Sequence, residues 1–472
     1  MLETRTETDS LGPIEVPAEA LYGAQTTRAI ANFPISGLKA SPFLIHALAM
    51  IKHAAAEANQ SLDLITKEQG SAIQQAAQEI IDGQHHDHFV VDVFQAGAGV
   101  SLHMNTNEVI ANRAGQILGE ANNEAIALGT YKKLHPNDHV NYGQSTNDVF
   151  PTALRLSTLL ALEDLYPVLG ELTAGFEAKA AEFKDILKAG RTHMQDAVPI
   201  TLGQEFAAYA VAMQKCHQHI ARTAESLREL GLGGSAVGTG LNTHPDYRQK
   251  AIANLSRISG LELRPAEDLR YAMQSNACMA DVSAALRTLA LELIRISNDL
   301  RLLSSGPNTG FNEIHLPSLQ PGSSIMPGKV NPVLPELTAM VAFQVIGNDT
   351  ATAFAVQAGQ LELNVMMPTM AHNTLQSITI LTSTLHQLDH HCIRGITANR
   401  ERCDFYASST IALATALNPY IGYAKAAALV KQSVATGQSI VALAREQKLL
   451  TEDQINEILD PKNMTEPHAR KS

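Results

Sequence analysis

Two adjacent serines, a lysine and an asparagine fall within residues 322–332, which read G-S-S-I-M-P-G-K-V-N-P. Gly322, Pro327, Gly328 and Pro332 forbid a regular helix or an interior strand there. The stretch is expected to be a loop with hinge-capable ends. Ser323, Ser324, Lys329 and Asn331 supply two hydroxyls, one cation and one amide. A site needs such groups to hold a small carboxylate and move a proton beside it. A plain polar surface loop is the alternative, since Gly/Pro/Ser stretches commonly end as one.

Three more polar islands interrupt the chain. Residues 97–108 read G-A-G-V-S-L-H-M-N-T-N-E, 135–148 read H-P-N-D-H-V-N-Y-G-Q-S-T-N-D, and 190–199 read G-R-T-H-M-Q-D-A-V-P. The last two are each expected to end at a helix start. Ser145, Thr146 and Asn147 precede a helical run with Pro151 in its first turn, and Thr192 and His193 precede Pro199 and Thr201. Unpaired N–H groups and the positive helix end attract carboxylates. Ordinary capping is the alternative for either island alone. Both islands together with the serine loop suit a substrate bearing two carboxylates. An imidazole changes charge near neutral pH, so His193 is a candidate to bind a carboxylate or pass a proton. The histidines of H-H-D-H, residues 85–88, are expected to be solvated rather than metal-bound, because adjacent positions do not share a helix face. His390 and His391 lie in a helical pattern without a partner motif.

Long helices must position these islands. Residues 147–188, 202–230, 277–303 and 337–388 contain few breakers, and Leu, Ala, Ile and Val recur at helical spacing. In 277–303, Val282, Leu286, Leu289, Leu293, Ile296, Leu300 and Leu303 step by three or four. Ala284, Ala285, Leu291 and Ile294 widen that stripe, and a wide apolar face needs neighbours on several sides. The expected fold is mainly α, with a long central bundle extended by other subunits. Three domains are expected: a mostly helical one over 1–143, the long-helix bundle over 144–397 and a small helical one over 398–472. The first 40 or so residues are expected to be irregular. Shorter helices are expected over 44–59, 65–81 and 104–118, with a β-favouring run at 89–94.

The chain has 472 residues, 45% hydrophobic and 17% charged, without tryptophan. That composition is globular and helix-favouring. A net charge of −12 does not invite nucleic acid or an anionic membrane. No apolar run reaches membrane-spanning length and the N-terminus shows no apolar signal core, so a cytoplasmic location is expected. Cys216, Cys278, Cys392 and Cys403 form no C-x-x-C pair and are expected to be reduced.

The order of motifs resembles the aspartase/fumarase superfamily. The opening loop, Q-S-T-N-D (144–148), G-R-T-H-M-Q-D-A-V-P-I-T-L-G-Q-E-F (190–206), A-V-G-T-G-L-N-T (236–243) and L-S-S-G-P (303–307) occur in its sequence order. E-V-P-A-E-A-L-Y-G (15–23) and L-N-P-Y-I-G-Y (417–423) extend the likeness to nearly the whole chain. Thr146, Val198, Val333, Pro335, Glu336 and A-G-Q-L-E-L-N-V-M (358–366) are more like aspartases than class II fumarases.

The resemblance implies a homotetramer whose sites are each assembled from three subunits. It implies anti-elimination from a C4 dicarboxylate, without metal or organic cofactor. Ser323 would be the base. Ser145, Thr146 and Ser324 would hold the carboxylate that becomes enediolate-like. Thr192, His193, Lys329 and Asn331 would hold the other, with Asn147 near the amine. Four positions depart from the pattern. Val100 stands where the family has threonine, His103 where it has asparagine, Asn308 where it has arginine, and Met367 where it has glutamate or lysine. The departures at Val100 and His103 leave three alternatives to an aspartase: a fumarase, a lyase of altered C4 specificity, and a silent helical binding assembly.

Overall fold

The computed structural model describes residues 3–467. Residues 1–2 and 468–472, the outermost parts of the expected first and last domains, lie outside it. A hairpin opens the described chain: β1 (Thr4–Asp9) and β2 (Gly12–Pro17) run antiparallel with Thr4 opposite Pro17. Then come α1 (Ala24–Asn32), α2 (Pro42–Ser61), α3 (Lys67–Ile81), α4 (Val100–Asn122) and α5 (Thr146–Glu182). A second hairpin, β3 (Leu187–Thr192) and β4 (Gln195–Thr201), leads into α6 (Leu202–Ala224). Helices α7 (Tyr247–Ser259), α8 (Leu269–Gln274), α9 (Ala277–Leu303), α10 (Val333–Gln357) and α11 (Met367–His391) follow. The chain closes with α12 (Arg400–Ser409), α13 (Asn418–Ile421), α14 (Tyr423–Thr436), α15 (Ile440–Glu446) and α16 (Glu452–Ile458). The fold is mainly α, as expected.

Helix α9 takes the bounds that its periodicity gives, and all seven positions of its stripe are buried. Elsewhere the structure corrects the expectations. Residues 3–40 are not irregular throughout, since β1, β2 and α1 lie there. The strand T-R-T-E-T-D has no apolar alternation and is held by polar pairs instead. Thr4 and Thr6 each donate a hydroxyl to Glu15 at 2.6 Å, and Arg5 pairs with Glu7 at 2.7 Å. Residues 89–94 form no strand; only an isolated bridge joins Lys39 and Asp92. The helical stretch 337–388 is broken over 358–366, where the Asn364 amide donates to the carbonyls of Ala355 and Val356, both at 3.0 Å. A buried side chain that takes up the last carbonyls of a helix ends it.

The described residues form two compact units. The first comprises residues up to Tyr166 with Gln218–Ala290 and Phe343–Leu381. Its core includes Leu48, Ile51, Ile73, Ile80 and Ile110. Helix α4 is buried almost all round despite a run of polar residues. One of them, Glu108, caps α1 by accepting from the N–H groups of Gly23 (2.8 Å), Gln25 (2.9 Å) and Thr26 (3.2 Å). The second unit comprises Pro167–His217, Leu291–Ala342 and the residues from Thr382 onward. It packs Phe176, Phe183, Phe206 and Tyr209 ring against ring. An apolar cluster of Leu413, Leu417, Leu429, Ile440, Leu443 and Ile455 lies in the C-terminal part of that unit. The three-way domain division is retained as a proposal.

Candidate active site

At the start of α5, the side chains of Ser145 and Asp148 both accept from backbone N–H groups of the first turn. Asn147 N–H donates to Ser145 Oγ at 3.2 Å, and Ser145 N–H donates to Asp148 Oδ1 at 2.8 Å. The other Asp148 oxygen accepts from the N–H groups of Gly233 (3.0 Å) and Ser235 (3.1 Å), and Asn147 Nδ2 donates to Ala236 O at 2.9 Å. These bonds tie the loop that carries A-V-G-T-G-L-N-T to the first turn of α5. Burial pushes the Asp148 carboxyl up to about 6, against the pull of its N–H donors and of the Lys52 charge. Ser145, Thr146 and Asn147 are brought together here, half-buried. The Ser145 oxygen serves the cap as an acceptor, so its hydrogen is left for another partner.

Beneath Thr146 lies a polar chain. Thr146 Oγ1 is 2.7 Å from His103 Nδ1, and His103 Nε2 is 2.7 Å from Lys52 Nζ. Lys52 also donates to Asn141 Oδ1 and Gln144 Oε1, both at 2.8 Å. Lys52 and His103 are fully buried. No motif in the sequence singles out Lys52, although a signal exists. It sits in the buried series Leu44, Leu48, Ala55 and Asn59 of α2, where a cation is out of place. In the sequence, His103 stands out only as a departure from the family pattern. Val100 is the first residue of α4 and is 38% exposed, so its methyl groups are not part of a packed core.

Thr192 and His193 are not at a helix start, which corrects the expectation. They lie at the tip of the β3–β4 hairpin, where Thr192 pairs with Gln195. His193 and Met194 take φ of 52° and 62°, the left-handed pair that a two-residue hairpin turn requires. The ladder bulges between Ala189 and Arg191, at Gly190, where an added Cβ would meet Val198 O at 2.6 Å. Arg191 anchors the strand below the tip. It pairs with the buried Glu313 at 2.9 Å and stacks 4.2 Å over the Phe311 ring. Both tip residues are exposed.

The serine loop is closed at its base. Gly322 N–H donates to Lys329 O at 2.7 Å, and Asn331 Nδ2 donates to Gly322 O at 2.8 Å. Within it, Ser323 Oγ accepts from the backbone N–H groups of Ile325 (3.2 Å) and Met326 (2.8 Å). Ser323 and Asn331 are half-buried, while Ser324 and Lys329 are exposed. Ser323 and Lys329 line one concavity. Lys329 and Asn331 line another with Asn312 and His315. The hairpin tip and this loop belong to the second unit; Ser145, Thr146 and Asn147 belong to the first. Among the described residues, no hydrogen bond joins the tip to the loop.

Other features carry none of these residues. An apolar concavity of the first unit is lined by Leu44, Val93, Leu102, Phe150 and Ala371. In the region of residues 85–88, His85 pairs with Glu79 at 2.9 Å and His86 contacts Ile80 O at 3.0 Å. His390 stacks on His386 (centroids 4.3 Å apart) and lies 3.5 Å from Glu171, so it has partners that sequence adjacency to His391 did not suggest. The ligand atoms of Glu171, His386 and His390 lie within 4.8 Å of one another on an exposed face. Among the described residues, no helix is long and apolar enough to cross a membrane.

The family model described as Lyase matches residues 12–347, and that described as Fumarase C C-terminus matches 413–466. The chain is 49% identical to an aspartate ammonia-lyase of Pseudomonas aeruginosa, over 98% of this chain and 97% of that one. It is 47% identical to the aspartate ammonia-lyase of Escherichia coli, over 98% and 96%. A crystal structure titled fumarate lyase:delta crystallin from Brucella melitensis bound to cobalt superimposes with a TM-score of 0.94 at 47% identity, covering 98% of this chain and 100% of that one. A class II fumarase from Schistosoma mansoni also gives 0.94, at 38% identity, over 99% and 100%. The chain therefore belongs to the aspartase/fumarase superfamily of lyases, and within it to the aspartate ammonia-lyase family.

Proposed function

We infer that this chain removes ammonia reversibly from L-aspartate to give fumarate, with Ser323 as the general base. The observation that carries this reading is the pair of backbone N–H groups aimed at Ser323 Oγ. A serine hydroxyl is a poor base, and each pKa unit of acidification requires about 1.4 kcal/mol. Two N–H donors favour the oxyanion, and a Lys329 ammonium on the same concavity adds positive charge.

The Ser323 oxygen takes the proton from the carbon beside one carboxylate. That carboxylate gains enediolate character, and donors at Ser145, Thr146 and Ser324 hold the added charge. The electron pair then returns to form the double bond as the C–N bond breaks, and ammonia leaves. Thr192, His193, Lys329 and Asn331 hold the other carboxylate, and Asn147 lies near the amine. His193 is the candidate to pass a proton at that end. The chain's own side chains and N–H groups suffice for these steps.

The assembly proposed is a homotetramer with shared sites. Supporting it, α10 buries Ala339, Ala342 and Val345 and leaves Leu337, Met340, Phe343 and Phe354 exposed. A helix apolar on two faces needs a second neighbour. The substrate proposed is a free C4 dicarboxylate and the compartment the cytoplasm, without nucleic-acid or membrane partners.

The test is to incubate the purified protein with L-aspartate or L-malate and follow the ultraviolet absorbance of fumarate, with Ser323→Ala as control. Aspartate should give fumarate and the variant should give none. Turnover of malate alone would make the chain a fumarase. No turnover of any C4 dicarboxylate would favour a silent assembly.

A further inference from the structure

The two amide bonds to Lys52 have a determined direction. Asn141 Nδ2 donates to Gln144 O (3.2 Å), and Gln144 Nε2 donates to Val140 O (3.1 Å) and Tyr142 O (3.4 Å). With both amide nitrogens committed to carbonyls, both amide oxygens face Lys52 as acceptors. A lysine ammonium has three N–H donors and no acceptor. Its third partner, His103 Nε2, must then accept. A neutral imidazole that accepts at Nε2 carries its hydrogen on Nδ1. That N–H donates to Thr146 Oγ1, and the Thr146 hydrogen is left to point elsewhere. A neutral Lys52 would reverse every step. Its lone pair would accept from His103 Nε2–H, Nδ1 would accept from Thr146, and the threonine would have nothing to give.

We propose that Lys52 and His103 form a one-way hydrogen-bond chain that makes the Thr146 hydroxyl a donor to the substrate carboxylate. Both are positioning residues that act through Thr146. The proposal rests on the reading that Thr146 holds the carboxylate that becomes enediolate-like. Burial first and the Lys52 charge second keep the imidazole neutral, as the chain requires. Burial also disfavours the ammonium. The Asp148 charge acts against that, and the three acceptors satisfy every N–H of the charged form. The chain links α2, α4 and the first turn of α5 within one unit. Among the described residues, His103 is the one hydrogen-bond partner of the Thr146 hydroxyl.

Two substitutions of equal shape separate direction from packing. In His103→Gln, the side chain can accept from Lys52 and donate to Thr146. In His103→Glu, it can accept from Lys52 but offers Thr146 only an acceptor, while the ion pair preserves the buried contact. Both are made in wild-type and Thr146→Val backgrounds. Turnover, KM and thermal midpoint are measured, with Ser323→Ala alongside. The Gln variant should exceed the Glu variant in kcat by about 100-fold, the typical effect of one oxyanion donor. In the Thr146→Val background that ratio should collapse to within about threefold, since the effect travels through the hydroxyl. Equal Gln and Glu rates, or a ratio that survives Thr146→Val, would overturn the proposal. If Ser323→Ala keeps turnover, the underlying reading of the site fails instead.

Discussion

The backbone N–H of Met326 points at Ser323 Oγ from 2.8 Å, three residues along the same loop. The loop thus carries both the oxygen proposed as the base and the donors that would favour its anion. Ser323→Ala should lower kcat by at least about 1,000-fold, in the range of a lost general base. The thermal midpoint should stay within about 2 °C, because the loop around Ser323 is largely exposed. A variant that keeps turnover would remove Ser323 from the mechanism.

Gly322 closes that loop at a point where a side chain has no room. A Cβ there would meet Lys329 O at 2.7 Å and Asn331 N at 2.8 Å. Gly322→Ala should therefore spread the loop base and move Ser323. Turnover should fall by about 100-fold, as expected of a misplacement near 1 Å. Stability, followed by urea unfolding, should change by less than about 1 kcal/mol.

Arg191 holds the hairpin that presents Thr192 and His193. Its partner Glu313 is fully buried, and Lys188 lies farther off at 3.6 Å. Arg191→Met should leave that carboxylate poorly compensated and destabilise the protein by about 3 kcal/mol. Calorimetry would check the loss. KM for aspartate should rise along with it, since the tip loses its anchor.

Asp92 supplies a pH dependence whose sign is fixed. Burial alone would raise its carboxyl. The N–H groups of Phe94 and Ser36, the Ser36 hydroxyl and the Gly37 N–H outweigh burial and hold it at about 2, below the ordinary 3.8. A carboxylate depressed by folding adds stability above its unfolded pKa and loses it as pH falls through the folded one. Asp92→Asn should thus cost about 1–2 kcal/mol near pH 7. The gap to wild type should close as pH falls from about 4 to about 2. Urea midpoints across that range would show it, and a gap independent of pH would contradict the assignment.

Local order was legible where the chain repeats itself or carries breakers. The period of 277–303 gave α9 to the residue, because a helix buried along one stripe shows that stripe in its own sequence. The glycines and prolines of 322–332 marked the serine loop for the same local reason. What lay between distant segments was not legible. Lys52 and His103 are 51 residues apart, and His103 and Thr146 are 43 apart. No periodicity within α2 or α4 announces that pairing. The hairpin under His193 is closed by two left-handed residues that are not glycine, and the break in 337–388 is made by a side chain folding back on its own helix. The sequence by itself determined helix α9, the position of the serine loop and the order of the motifs. Only the tertiary structure brought Lys52, His103 and Thr146 within hydrogen-bond distance, because a buried polar contact depends on how separate helices pack.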